Sequence, residues 1–515
     1  MLAKFRSLIK NLDKRYKVVI VAVLLVGILS HGMVLFNHFY FHDGTAALEG
    51  FSFGGRLTEG RWFLSILSFV EKIIYGSNII ILPLLVVVKT IALIVFVVCV
   101  LVKHLNINSL LLIFLLGGIW ASFPSVASLF GYMHISYYYA LGLLLGCIGV
   151  TLNFNSQSIG RFILSVILLT CSIGTYQAFF PIYLGLILCC MINMLIRKPN
   201  MTKKEILLKM TNALFMLILA IVAYFLINKI IVSVTDIVIP KAEYFTMSPK
   251  DYLSRIPFAV KMFFSGIGTH VMPFNSRWFY VVTIILLFIY GCNFVKKIYS
   301  TNKANGIILL LLFLLIPIVF NFIYIMCPAN IVYSLMEYNF ILPFFLLLCM
   351  VQNSFINNKI GKLLRYVSIL TIFMVICSFI RIDNMCYAKA EINKQRTISY
   401  FTTLISEIKV MDGYCDKHKV LFVNPRSIED ASLEKKPFLH SIEVQPYRNM
   451  IDYLNDYDFN RYIYYWCGYA PQFVYEYDTL NYKEMIDDMP AYPSKGSIKL
   501  CGDTIIVKFG NKVIQ

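Results

Sequence analysis

The first 385 residues of this chain contain eleven mostly apolar runs, and these runs constrain its fold more than any other feature. A helix needs about 20 such residues to cross a bilayer. A single soluble core stops growing near roughly 250–300 residues, so it could not bury a 515-residue chain that is 59% hydrophobic. The sequence predicts an all-α polytopic membrane protein with about eleven spans, at 18–36, 79–102, 108–126, 135–152, 161–174, 178–196, 210–232, 278–295, 306–326, 339–352 and 366–385. The fifth and tenth runs are short, so each is expected either to cross with little tilt or to re-enter the membrane.

The distribution of lysine and arginine predicts the orientation of these spans. With a cytoplasmic N-terminus, the six inner segments carry 19 basic residues and the five outer loops carry 8. Because short inner loops are enriched in positive charge, the basic segment 1–17 is predicted to be cytoplasmic and the first span uncleaved. An odd number of spans places residues 386–515 outside, across what we expect to be a bacterial plasma membrane. The net charge of +18 belongs to these loops, so no nucleic-acid partner is predicted.

Two of the outer loops are long and contain helical patterns of their own. The loop 37–78 has helical apolar spacing from Leu57 to Ile74, which is typical of an amphipathic helix on the membrane surface. In the loop 233–277, Ser248 precedes a proline in the manner of a helix start, and a second interfacial helix is predicted over Asp251–Phe264. Together with the spans, these loops are assigned to one multi-span domain, residues 18–385.

Residues 386–515 differ in composition and are predicted to form a small extracytoplasmic α/β domain. Residues 388–411 have helical spacing, Lys419–Val423 and Arg461–Trp466 have β-type composition, and Ser497–Phe509 is predicted to be a hairpin. Its four cysteines show neither CxxC nor Cys/His ligand spacing, so free thiols are favoured over a disulfide. These are Cys386, Cys415, Cys467 and Cys501.

Asp43 is the strongest candidate for chemistry. It directly follows the first span, within the segment Tyr40–Gly44. A carboxylate at this apolar boundary would be partly desolvated, which suits it to act as a general base. A helix cap or an ordinary loop carboxylate is the alternative interpretation.

Three cations are candidates for binding a lipid phosphate. Arg56 and Arg61 lie in the first long outer loop, and a guanidinium can hold a phosphate through two parallel hydrogen bonds. The alternative is an interfacial arginine that snorkels beside Trp62. Lys89 falls in the middle of the second span, so it must face protein, water or a lipid headgroup. A phosphate and a carboxylate of another helix are the two partners that this position favours equally.

Polar and aromatic side chains at the outer ends of spans are candidates for binding a sugar or an acceptor. His134 precedes Tyr137–Tyr139, and such tyrosines form either an interfacial aromatic belt or a stacking face for a sugar. Gln177 follows Tyr176 in a very short outer turn, where its amide could bond a sugar hydroxyl. Glu337 is the one acid in its loop.

No sequence motif indicates a nucleotide site, and no cluster of ligands indicates a metal. Sugar nucleotides are scarce outside a cell. A transferase working there would therefore take its sugar from a carrier that has already crossed the membrane on lipid. No cofactor is predicted, and a divalent metal, which no motif indicates, stays an open alternative.

The order of these motifs resembles the GtrII family of glucosyltransferases, which modify O-antigen and other cell-surface polysaccharides and have a GT-C-like fold. The matching segments are Phe41–Gly44 after the first span, Gly60–Trp62 about seventeen residues further on, and Gly174–Gln177 between two spans. The basic-inside topology also matches, and the resemblance covers most of residues 15–385. Family members often carry two adjacent acids at the first segment. Here His42 replaces the first acid, which disfavours a two-carboxylate mechanism and a metal held by the pair.

The resemblance implies direct, inverting transfer of a sugar from a polyprenyl phosphate, such as undecaprenyl-phosphate glucose, to a hydroxyl of a surface glycan. Asp43 would deprotonate the acceptor, and Arg61, with Arg56 or Lys89, would stabilise the leaving lipid phosphate. A separate flippase and a separate enzyme that makes the lipid-linked donor are implied as partners. The pocket residues that the motifs supply are Trp62, Tyr176 and Gln177.

Four other functions compete with this interpretation. A polysaccharide polymerase would also use outer-face cations, but would move a whole glycan. A flippase or transporter would carry charges along several spans and often internal repeats, whereas Lys89 is the clear mid-span charge and no repeat is found. A membrane acyltransferase would need an inner His/Asp site, where only His104 is present. A structural partner would tolerate loss of Asp43.

Overall fold

The structure is a computed structural model, and it describes residues 12–37, 39, 44, 56–76, 82–155, 158–235, 248–266, 269–273, 276–355, 358–424, 442, 444–445, 447, 459–474 and 481–510. The chain divides into two compact units. The first consists of Met1–Asn37, Phe51–Asn384 and Glu443–Gln445, and the second of His38–Gly50, Met385–Ile442 and Pro446–Gln515.

The first unit is helical. Its long helices are α1 (Lys14–Phe36), α2 (Trp62–Tyr75), α3 (Pro83–Leu105), α4 (Leu110–Ser122), α5 (Pro124–Gly131), α6 (Ser136–Asn155), α7 (Ile159–Thr175), α8 (Phe180–Arg197), α9 (Lys203–Thr235), α10 (Pro249–Ser265), α11 (Ser276–Thr301), α12 (Lys303–Phe320), the short α13 (Ile323–Met326), α14 (Leu342–Gln352) and the start of α15 (Lys359–Lys409). Short 3-10 turns are formed by Met133–Ile135, Gln177–Phe179, Ser334–Met336 and Tyr338–Ile341.

Within the described residues, nine helical segments are long and apolar enough to cross a membrane, and two shorter apolar helices accompany them. The nine are Lys14–Phe36, Pro83–Leu105, Leu110–Gly131, Met133–Phe154, Gln177–Arg197, Lys203–Thr235, Ser276–Thr301, Lys303–Phe320 and Lys359–Lys409. The shorter two, Ile159–Thr175 and Tyr338–Gln352, occupy the two positions where the sequence predicts short runs. The prediction of a helical multi-pass membrane protein is confirmed, whereas the number of helices that cross stays a prediction.

Local sequence signals set several of these boundaries. The Asp13 side chain caps α1 by accepting a hydrogen bond from the backbone N–H of Arg15 at 2.8 Å. Ser248 and Asp251 form a capping box at the start of α10, where the sequence predicted a helix start. The third predicted span is broken at Phe123, because the following proline forces the residue before it into an extended conformation.

Helix α2 confirms the predicted amphipathic segment near 57–74. Trp62, Leu64 and two serines face the protein, whereas Phe69 and Ile73 are 53% and 66% exposed. An apolar face that the protein does not cover is typical of a helix lying in the membrane interface.

The second unit contains the end of α15, two short helices, α16 (Phe459–Cys467) and α17 (Lys483–Asp488), and a four-stranded sheet. The strands β1 (Lys419–Val423), β2 (Gln472–Val474), β3 (Ile498–Cys501) and β4 (Thr504–Lys508) lie in the order β2-β1-β4-β3. Strand β1 is parallel to β2 and β4, and β3 and β4 form the antiparallel hairpin that the sequence predicted. The hydrophobic core of this unit includes Leu421, Val423, Ile486, Met489 and Ile506. All thirteen cysteines of the chain are free thiols.

The prediction of a strand at Arg461–Trp466 is wrong, because these residues belong to α16. Tyr462 and Ile463 are buried, whereas Tyr464 and Tyr465 are 54% and 43% exposed. Tyr462 and Trp466, four residues apart, stack at 4.8 Å between ring centroids. This four-residue spacing of stacked aromatic residues is helical, and the packing overrides the β-propensity of the aromatic side chains.

Candidate active site

A tight turn before α2 brings two arginines to one carboxylate. The backbone N–H of Arg61 bonds the carbonyl of Arg56 at 3.1 Å, and Gly60 between them has a φ of +71°, which favours glycine. The carboxylate oxygen Oε2 of Glu59 lies 2.8 Å from Nη1 of Arg61 and 3.4 Å from Nη1 of Arg56. Among the described residues, the two guanidinium groups thus converge on the carboxylate of Glu59.

Arg61 also rests on an aromatic stack. Its guanidinium carbon lies 5.1 Å from the ring centroid of Tyr176, and the Tyr176 ring stacks on Tyr139 at 4.6 Å and 17°. The hydroxyls of Tyr176 and Tyr333 are 3.2 Å apart. Burial, followed by the nearby tyrosine hydroxyls, raises the pKa of Tyr176 well above its ordinary value, so this phenol is neutral.

Two adjacent donors at this turn are left unused by the protein. Among the described residues, Nε of Arg61 and Nε1 of Trp62 are buried and have no hydrogen-bond partner. Buried N–H groups are nearly always paired in folded proteins. Two such donors side by side, one of them on a guanidinium, therefore indicate a place where an anionic or hydroxyl-rich ligand can bind.

Gln177 holds the turn in position. Its amide nitrogen donates to the backbone carbonyl of Glu59 at 2.8 Å and to the hydroxyl of Tyr224 at 2.8 Å. The Tyr224 hydroxyl in turn donates to the carbonyl of Gly60 at 3.2 Å. Because the amide nitrogen is used for these contacts, the structure places Gln177 as a positioning residue behind the arginines.

The two segments Gly60–Trp62 and Gly174–Gln177 meet directly. A Cβ at Gly174 would lie 2.5 Å from Cε2 of Trp62, so the indole packs against the bare backbone of α7. This contact, with those of Gln177, explains why the sequence has glycine, tryptophan and glutamine at these positions.

Lys89 is paired with a carboxylate, which is one of the two alternatives that the sequence left open. Its Nζ lies 3.0 Å from Oε1 of Glu71 on α2, and the Tyr138 hydroxyl donates to the other oxygen of the same carboxylate. The ammonium also lies 4.6 Å from the ring centroid of Tyr137. Lys89 therefore anchors α2 to α3. No pattern in the sequence identifies Glu71 as its partner.

The remaining predicted residues have different surroundings. His134 is buried, and its Nε2 lies 2.9 Å from Nη2 of Arg56, which places it beside the two arginines.

Glu337 is fully buried and holds the segment that contains His270. It accepts from the backbone N–H groups of His270 and Val271 at 2.9 and 3.2 Å and from the Tyr324 hydroxyl at 2.5 Å. Both oxygens of its carboxylate thus accept hydrogen bonds from protein groups.

Some expectations fall on parts of the chain that the structure leaves undescribed. Asp43, with the rest of the segment Phe41–Asp43, lies outside the described residues, so its proposed role stays a prediction. Within the described residues, no group of three or more histidine, cysteine or acidic side chains could hold a metal ion. The sequence did not identify Glu59, Tyr224 and Tyr333 as parts of this site, and it offered Tyr139 only within the run Tyr137–Tyr139.

Comparison with known proteins assigns the family. A family model described as "Glucosyl transferase GtrII" matches residues 32–344, which is more than half of the chain. No curated protein and no solved structure matches. The matched range contains the turn of Arg56–Trp62 and the segment Gly174–Gln177, whose contacts build the site. This multi-pass chain therefore belongs to the GtrII family of glucosyl transferases, as its sequence motifs predicted.

Proposed function

We propose that this glycosyltransferase moves a sugar, glucose, from a polyprenyl phosphate to a hydroxyl of a cell-surface polysaccharide on the outer face of the membrane. The observation that carries the proposal is the cationic turn of Arg56 and Arg61 with its unused N–H donors. Such a turn at the start of an interfacial helix suits the phosphate of a lipid carrier, because that phosphate lies at the depth of the membrane interface.

The transfer is a single displacement with inversion. Asp43 takes the proton of the acceptor hydroxyl, the acceptor oxygen forms a bond to the anomeric carbon, and the bond from that carbon to the phosphate oxygen breaks. The electron pair leaves with the polyprenyl phosphate, whose developing charge Arg61 and Arg56 stabilise. No nucleotide is needed, because the donor already carries its activated bond.

The aromatic stack and the residues behind it support this assignment. The Tyr176 ring, stacked on Tyr139, supports Arg61 at the edge of the proposed sugar pocket, and the unused Nε1 of Trp62 can donate to a sugar hydroxyl. Gln177 keeps the turn in the geometry that presents Arg61. Lys89 contributes indirectly, by fixing α2 through Glu71. A separate flippase and a separate donor-synthesising enzyme would supply the substrate.

The test is sugar transfer from labelled polyprenyl-phosphate glucose, within a small panel of carrier-linked sugars, to host surface glycan. Membranes with wild type, Asp43→Asn or the control Asp251→Asn are compared at matched protein levels. We expect Asp43→Asn to lose at least about a hundredfold in rate, as removal of a general base costs. The control should keep its activity, because Asp251 caps α10 in another outer loop.

Other outcomes would redirect the assignment. Equal transfer by wild type and Asp43→Asn would keep the enzyme and remove Asp43 as its base. Transfer of whole glycan chains in place of single sugars would favour a polymerase. Absence of any transfer, with surface glycan still altered in cells that lack the protein, would favour a flippase.

A further inference from the structure

A cavity of about 280 Å³ opens at the far end of α8 from the active site. Helix α8 has 18 residues, so it is about 27 Å long. It begins at Phe180, directly after the turn that contains Gln177, and ends at Arg197. The cavity thus lies at the end of α8 that is farther from the cationic turn. Its lining residues are His104, Phe154, Cys190, Asn193, Met194, Arg197 and Lys198.

The rim of this cavity is strongly basic. Residues 197–209 contain five lysines and arginines and a single acid, Glu205. That acid is engaged in capping α9, since its Oε2 accepts from the backbone N–H of Thr202 at 3.0 Å. Lys209 reaches the wall itself, where its Nζ donates to the carbonyl of Phe154 at 2.9 Å. The cavity therefore has the charge of an anion site.

The loop that carries the rim cations is held in place. The side-chain amide of Asn305 donates to the carbonyls of Pro199 and Met201 at 2.8 and 2.9 Å. The backbone N–H of Lys198 bonds the carbonyl of Met194 at 2.9 Å. A rim that is ordered before binding loses little conformational freedom when a ligand arrives.

The floor combines apolar and polar groups. Cys190 and Phe154 are buried, and the buried Asn193 accepts a hydrogen bond from the amide of Asn353 at 3.0 Å. The volume is slightly below the roughly 300–1,000 Å³ of sites for whole small molecules. It suits a phosphate-bearing headgroup whose acyl chains stay in the bilayer.

We propose that this cavity binds the phosphate of an anionic lipid headgroup, with Arg197 and Lys198 as its direct ligands. Basic pockets between transmembrane helices are recognised sites for anionic headgroups, and a guanidinium can hold a phosphate through two parallel hydrogen bonds. The lipid is either a membrane phospholipid or a polyprenyl phosphate, which share this chemistry. The site is separate from the transfer reaction and does not depend on its details.

The experiment uses the full-length protein, purified in neutral detergent and freed of lipid. Its melting temperature is followed during titration with phosphatidylglycerol, polyprenyl phosphate, phosphatidylcholine or inorganic phosphate, because a ligand that binds the native state raises that temperature. We expect one or both anionic lipids to stabilise the protein, and the tighter of the two identifies the source. Stabilisation by phosphatidylcholine or by inorganic phosphate equal to that by the anionic lipids would overturn the proposal.

A matched pair of variants separates the cavity from general surface charge. Arg197→Ala/Lys198→Ala should weaken the apparent lipid affinity at least about tenfold, the effect of losing a charge-assisted hydrogen bond. Lys359→Ala/Lys362→Ala removes the same charge from exposed residues at the start of α15, outside the basic rim, and should change the affinity less than about twofold. Equal losses in both variants would mean that only the basic surface attracts lipid.

A third variant tests the cavity without changing charge. Met194→Trp should fill the space and weaken lipid binding, because its indole occupies the volume needed by the headgroup. Full binding by Met194→Trp would overturn the proposal. This variant also decides the question if the Arg197→Ala/Lys198→Ala protein fails to fold.

Discussion

At the scale of single residues, the site contains two kinds of polar group. Some have hydrogen-bond donors without a partner in the described part of the chain, and others are already hydrogen-bonded within the protein. Arg61 keeps a buried N–H without a partner among the described residues, so it can still bind a ligand. The amide nitrogen of Gln177 and the carboxylate of Glu337 are hydrogen-bonded to backbone and tyrosine groups. The first kind keeps a donor for a ligand, whereas the second kind fixes loops, and the sequence alone could not tell them apart.

Replacement of Arg61 by lysine should show what the guanidinium contributes beyond charge. Lysine keeps the positive charge but loses the planar fork and the buried Nε, so we expect transfer to fall by about ten- to a hundredfold. The measurement is the initial rate over a range of donor concentrations. Arg61→Ala should lose more and regain part of the rate when guanidinium ion is added. Full activity of Arg61→Lys would reduce the role of Arg61 to a point charge.

Glu337→Gln should lower stability, because the new amide places an NH₂ group among donors that need an acceptor. Leaving such a buried donor unsatisfied costs about 1–3 kcal/mol. Thermal unfolding of the purified protein checks this expectation. Tyr324→Phe, which removes one of the bonds to the same carboxyl group, should give a smaller loss. An unchanged melting temperature with a raised donor or acceptor KM would instead support direct substrate binding by Glu337.

At the scale of elements, the close approach of Trp62 on α2 to the backbone of α7 couples the cationic turn to the membrane helices. The bare Cα of Gly174 permits this contact, and α2 is further tied to α3 through Glu71 and Lys89. Because α2 is held near both of its ends, it is a rigid support for Arg61.

Gly174→Ala should therefore disturb the site through packing. The added methyl group would meet the indole of Trp62 at 2.5 Å, and overpacking of this kind costs about 1–3 kcal/mol. We expect reduced transfer, measured as above. Gly160→Ala at the start of the same helix meets nothing closer than 3.9 Å and should keep full activity. Adding Trp62→Phe to Gly174→Ala should relieve part of the clash, and a strictly additive loss would argue against the contact.

At the scale of the whole molecule, the positions of apolar helices could be predicted because hydropathy is a local property. The long apolar runs, the amphipathic helix α2 and the hairpin of β3 and β4 all lie where the sequence placed them. The contacts of the site could not be predicted, because the pairs Gln177–Glu59 and Tyr139–Tyr176 join distant parts of the chain through packing. The error at α16 has the same origin, since the burial of Tyr462 and its stacking on Trp466 along one helical face outweighed local propensity.

The orientation of the molecule is the remaining whole-chain prediction, and single cysteines in a cysteine-free background can test it. Lys303→Cys lies in a predicted inner segment and Lys495→Cys in the predicted outer domain, and both side chains are exposed. Since positive charge favours the inner side, a membrane-impermeant maleimide should label Lys495→Cys in intact cells and Lys303→Cys only after permeabilisation. The reverse pattern would place Arg61 on the cytoplasmic face. An outer-face donor could then no longer reach the cationic turn, whatever the chemistry of its residues.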